Sequence, residues 1–161
     1  MAWTTPRTWV AGEVVTAANL NTHLRDNMLA VYPSTPTWTA VTFAAGNFTA
    51  SGSQTWTLVA GDQSLFKYLV IGKTMHVHLV LTTTTVGGTP STELRVAIPG
   101  GATASGASRG VAWHTNNGTE GFGGFVVAAT FISFYLPNSG SNWAASTDNT
   151  AIYASVMFEI A

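Results

Sequence analysis

The chain has no cysteine among its 161 residues, and only 8% of them carry charge. Without cysteine there are no disulfides and no thiolate metal sites, so stability must come from packing or association. The charged fraction is far below the roughly 25% of ordinary soluble domains. A monomer normally keeps itself soluble behind charge; this chain must rely on hydroxyls and amides, or hide much of its surface in an assembly. Its six Lys and Arg are scattered between Arg7 and Arg109, and the net charge is −1. No basic patch is present, so nucleic acid and anionic membrane are not expected partners. Long apolar runs are missing too. The richest window, Phe122 to Leu136, is interrupted by Gly123, Gly124, Thr130 and Ser133. It is shorter than the ~20 residues of a membrane helix, so no membrane insertion is expected. No basic region precedes an apolar run at the start, so no secretory leader is expected.

What is abundant is threonine, alanine and glycine, with 46% hydrophobic residues overall. That is enough for one domain with a real core and a small appendage. Residues 1 to 15 read as an extended arm, in which Trp3, Trp9 and Val10 need a surface to cover them. Thr16 is a good N-cap. Residues 17 to 31 contain no Gly or Pro, and Tyr32-Pro33 stops the helix.

After Pro36 the period changes from helical to two. Trp38–Phe43, Gln54–Val59, Leu65–Ile71, Thr74–Thr84, Thr92–Ile98, Ser108–His114, Phe122–Val127, Thr130–Leu136 and Ala151–Ile160 read as strands, separated by Gly and Asn turn signals. The expectation is all-β: a jelly-roll-like antiparallel sandwich of about eight strands behind the arm and one short helix. The domain division expected is residues 1–33, arm and oligomerisation helix, and 34–161, β head.

The helix carries apolar residues at Ala17, Leu20, Leu24, Met28 and Val31. Taking Asn27 in place of Met28 gives alternating spacings of three and four, the pattern of a coiled-coil seam in which a polar Asn fixes register. So short a helix cannot hold a coiled coil alone, since isolated helices below ~12–15 residues are marginal. Attached to a self-associating head, it would form a short bundle about a symmetry axis. The competing reading is an amphipathic lid on its own head.

The string from Trp9 to Asn27, Trp-Val-Ala-Gly-Glu-Val-Val-Thr-Ala-Ala-Asn-Leu-Asn-Thr-His-Leu-Arg-Asp-Asn, resembles a recurrent N-terminal segment of bacteriophage and prophage virion proteins of tail-fibre-like type. Tyr68–His78 and Leu94–Gly100 resemble strand motifs in the β heads of the same proteins, with less specificity. The resemblance implies a trimeric virion component. Its partners would be copies of itself, other virion proteins through residues 1–31, and a host-surface glycan or protein.

Chemistry-bearing motifs are sparse. In a strand, His76 and His78 point the same way, opposite Met75 and Val77. Three such pairs about a three-fold axis would offer six imidazoles to one iron. No neighbouring carboxylate supplies a second shell, so the expected state is two half-exposed histidines and no metal. The acids Glu13, Asp26, Asp62, Glu93, Glu120, Asp148 and Glu159 occur in no catalytic context, and no nucleophile elbow, phosphate loop or zinc-helix motif is present. No enzyme activity, catalytic residue or cofactor is expected. Two loops combine an aromatic platform with amide donors: Trp113 with Asn116 and Asn117, and Asn142 with Trp143. They are candidate recognition loops, although such Trp residues more often fill a core. The expected function is structural, a homotrimeric tail-fibre or receptor-binding protein of a virion. The alternatives are a capsid decoration protein held by its arm, and a free carbohydrate-binding module.

Overall fold

The structure is a computed structural model that describes residues 4–31, 37–137 and 140–161, with Ala30 and Val31 described by their backbone only. Two compact units divide at Thr37/Trp38.

In the N-terminal unit an extended arm leads into a helical run. Thr16 caps it as its sequence suggested, its Oγ1 accepting from the Asn19 amide at 3.2 Å. The run has three parts: α1 (Ala17–Leu20), a π segment (Asn21–Arg25) and α2 (Asp26–Val31). The wider π turn is marked by the Asp26 N–H donating to the Asn21 carbonyl, five residues back.

The second unit is all-β and sandwich-like. Its strands are β1 (Thr39–Ala40), β2 (Phe48–Ala50), β3 (Gln54–Thr57), β4 (Gln63–Ile71), β5 (Thr74–Gly88), β6 (Leu94–Ala97), β7 (Ser108–Asn116), β8 (Thr119–Ala128), β9 (Phe131–Tyr135) and β10 (Ser146–Glu159). Eight of these run four residues or longer. All belong to one antiparallel sheet ordered β1-β4-β5-β10-β7-β8-β9-β6-β2, with β3 also on β5. The sheet curls on itself. From β2, at one end of the path, the chain turns directly into β3, which pairs with β5 near the other end.

The expected strand at Trp38–Phe43 is realised only as β1, after which the Val41 amide still donates to the Phe66 carbonyl at 2.8 Å. The short β2, where no strand was expected, owes its place to Phe48, whose ring packs against those of Phe43, Trp56 and Phe66.

Period-two patterning decides the rest. In β5, Met75, Val77, Leu79 and Leu81 are buried while the residues between them are not. Together with Val96, Val127, Ile132, Phe134, Ile152 and Val156 they fill the inside of the curl. Threonine hydroxyls are among the polar groups that enter this core. Thr84 Oγ1 accepts from the Trp56 indole at 2.8 Å and donates to the Thr150 carbonyl at 3.0 Å, tying β3, β5 and β10 together. The register of β5 on β10 slips beside this relay. Thr83 there takes a left-handed φ of 54°, a conformation β-branched residues avoid. Asp62 holds it, accepting from Thr83 Oγ1 and from the Val59 amide, both at 2.9 Å.

Candidate functional site

Part of the outer face of the sheet is apolar, on β7, β8 and β10. Alternation turns Arg109, Val111 and Trp113 of β7 outward, because Gly110, Ala112 and His114 turn in. Register sets Tyr153 of β10 beside Trp113, and Trp113 beside Phe122 of β8. The Trp113 and Phe122 rings meet edge to face with centroids 4.6 Å apart. Val111 is 68% exposed and Phe122 62%. Residues of this size left that open are not filling a core.

Next to this row lies a hollow of about 410 Å³ lined by Arg109, Val126, Tyr135, Leu136 and Pro137. Arg109 is exposed and makes no ion pair among the described residues. Arg95 on β6 is committed instead: its guanidinium donates to Glu93 at 2.7 Å. Partial burial alone would raise the Glu93 carboxyl. Hydrogen bonds from Arg95, Tyr135 and Ser133, with the charge of Arg95, outweigh it and hold the carboxyl below its usual range. Burial, reinforced by the Glu93 carboxylate, pushes the Tyr135 phenol up.

The two candidate recognition loops come together at one end of the sheet, but for structural reasons. Asn116 Oδ1 accepts from the Ala144 amide at 2.9 Å, so that amide is occupied in fastening one loop to the other. Asn117 (φ 47°) and Gly118 form the β7–β8 turn, and Asn142 is exposed. Trp143 corrects the expectation outright. It is 1% exposed, its indole donates to the Phe134 carbonyl at 3.2 Å, and its ring packs edge to face on His114. It is a core residue carried by a loop. Trp113 is not in a loop at all; it stands on the sheet face.

His114 had no sequence signal beyond its alternating position. It is buried, its Nδ1 has no hydrogen-bond partner among the described residues, and desolvation pulls its pKa below the ordinary imidazole value. Gly123 makes room for it: a Cβ there would meet the Tyr135 carbonyl oxygen at 2.2 Å and His114 Nδ1 at 3.0 Å.

His76 and His78 face outward as alternation required, both half-buried. Lys67 of β4 lies directly across from His78 and sets its ammonium 4.8 Å from the Trp38 ring centroid. That is a cation where a metal site would want an anion. No cluster of three or more potential metal ligands occurs among the described residues.

On the N-terminal helix, Ala17, Leu20, Leu24 and Met28 are all exposed, the last two at 52% and 62%. The side chain of Val31 lies outside the described residues, as does Trp3. Asn27 does not share that exposed face, which corrects its expected place in line with Leu20 and Leu24; Met28 stands there instead. Asn27 is buried and reciprocally bonded to the arm: its Oδ1 accepts from the Thr4 amide at 2.9 Å, and its Nδ2 donates to the Thr4 carbonyl at 2.8 Å. Further along the arm, Trp9 rests edge-on against His23 beneath the Arg7 guanidinium, and Val10 is open. No family model, curated protein or solved structure matches this chain.

Proposed function

We propose that this is a non-enzymatic structural protein of a bacteriophage virion, a homotrimer of tail-fibre or receptor-binding type with its β heads outward. The observation that carries self-association is the stripe Leu20, Leu24 and Met28. Four-residue spacing puts these side chains on one face of the helix, and all three are exposed. Contiguous open apolar surface on a soluble chain marks an association site. Asn27 leaves that face free, because its amide is spent on clamping the arm. The likeness of residues 9–27 to phage virion N-termini supports placing the association in a virion.

Light scattering on the purified chain is expected to give a trimer at micromolar concentration. The double variant L20S/L24S is expected to give monomers whose heads unfold at the wild-type denaturant concentration. A wild-type monomer overturns the proposal. Immunogold labelling of intact particles locates the protein: gold at the tail tip supports receptor binding, and gold over the capsid replaces it with decoration.

A further inference from the structure

We infer that the outer face of β7–β8–β9 is a binding site for a carboxylate-bearing oligosaccharide. This rests on the receptor-binding reading above and names the ligand chemistry. The site has the composition that saccharide recognition demands, apolar surface with a few placed polar groups. Val111, Trp113 and Phe122 form an apolar strip in which the two rings meet edge to face, and Tyr153 extends it on the β10 side. At the other end is the hollow holding Arg109 and Tyr135, floored by Val126. From Trp113 to Arg109 is four residues along β7, roughly 13 Å at strand rise. That length suits an oligosaccharide lying along the strand, with rings on the aromatics and an acid group at Arg109.

The charge selects the ligand. Arg95 is neutralised by Glu93, whereas Arg109 has no acidic partner among the described residues. A guanidinium offers a planar fork to a carboxylate. One such cation on a chain of net charge −1 suits a single carboxylate better than a polyphosphate. A second copy of this chain is the weaker occupant, because covering Arg109 with apolar surface would bury an uncompensated charge.

The test is titration calorimetry of the full chain with oligogalacturonate, with sialyllactose and with neutral maltohexaose. At least one carboxylated sugar is expected to bind, more weakly as salt rises, and maltohexaose is expected not to. R109Q, an exposed change on the sheet face, should weaken binding roughly tenfold or more, as loss of a charge-assisted contact requires. W113A should weaken it too, with the fold intact by circular dichroism. Failure of both acidic sugars to bind overturns the site, as does unaltered affinity in R109Q. Scattering on the same samples separates the remaining outcomes. A W113A protein that falls from trimer to monomer assigns the face to a second copy and overturns the inference. A trimer that binds neither sugar sinks this site alone, and a monomer that binds one sinks the trimer reading alone.

Discussion

In the head, large side chains such as Trp56, Phe134 and Trp143 are buried, and both of these indole N–H groups find acceptors on neighbouring strands. In the N-terminal unit the arrangement is inverted. Among its described residues Asn27 is the buried one, and Leu20, Leu24 and Met28 stand outside. The head therefore carries its own hydrophobic driving force. The arm-and-helix unit draws its internal order largely from polar contacts, the Asn27–Thr4 clamp and the Arg7–Glu13 pair among them, and leaves Leu20, Leu24 and Met28 open. On the proposed reading, stability and association fall to different parts of the chain.

The head's share of that division, an inner face that stabilises and an outer face that does not, is tested by removing one large side chain from each side of the sheet. Trp143→Ala takes out a buried indole, its hydrogen bond to Phe134 and its contact with His114. It should cost about 3–5 kcal/mol, the range for large-to-small core changes. Trp113→Ala on the outer face should cost about 1 kcal/mol or less, since half-exposed residues forfeit only part of that term. Urea unfolding followed by circular dichroism measures both. Equal losses would mean that the outer face is as structural as the inner one.

A smaller effect is expected in the N-terminal unit. Asn27→Ala leaves the Thr4 amide and carbonyl without their partners, a loss of about 1–3 kcal/mol of local order. Hydrogen exchange at the Thr4 amide should accelerate while the head's urea midpoint stays put. A shift in that midpoint would show that the two units are not energetically separate.

These contrasts also mark what could be read from the chain. Where burial follows a period, the sequence spoke clearly. Alternation in β5 put Met75, Val77, Leu79 and Leu81 inside and His76 and His78 outside, and the structure agrees. The Thr16 cap was equally legible, because its partner is three residues away. Where the partner is distant, spacing misled. Asn27 fitted a seam at intervals of three and four, but its amide is claimed by Thr4, twenty-three residues upstream. Trp143 sits in a loop whose composition suggests solvent. Its burial depends on His114 and on the Phe134 carbonyl, which only the folded sheet brings to it. The hollow at Arg109 had no local signal at all, because β7, β8 and β9 each contribute part of it.

The gentlest probe of the head is pH. His114 and Glu93 both hold fewer protons folded than unfolded, so each makes stability fall with acid. The His114 contribution is complete above the ordinary imidazole value of 6.5 and drains away as pH drops below it toward the depressed folded value. The Glu93 contribution is complete above 4.5 and is lost at still lower pH, as the carboxyl passes its depressed folded value. Urea midpoints should therefore decline in two stages on acidification. The first belongs to a buried ring packed on Trp143, and the second to a half-buried carboxylate on the outer face. His114→Gln should abolish the slope between about pH 7 and pH 5 whatever it does to total stability, because the proton that distinguishes the two states is gone. A slope that survives in that variant would mean that another group titrates there, and His114 would no longer explain the acid sensitivity of the core.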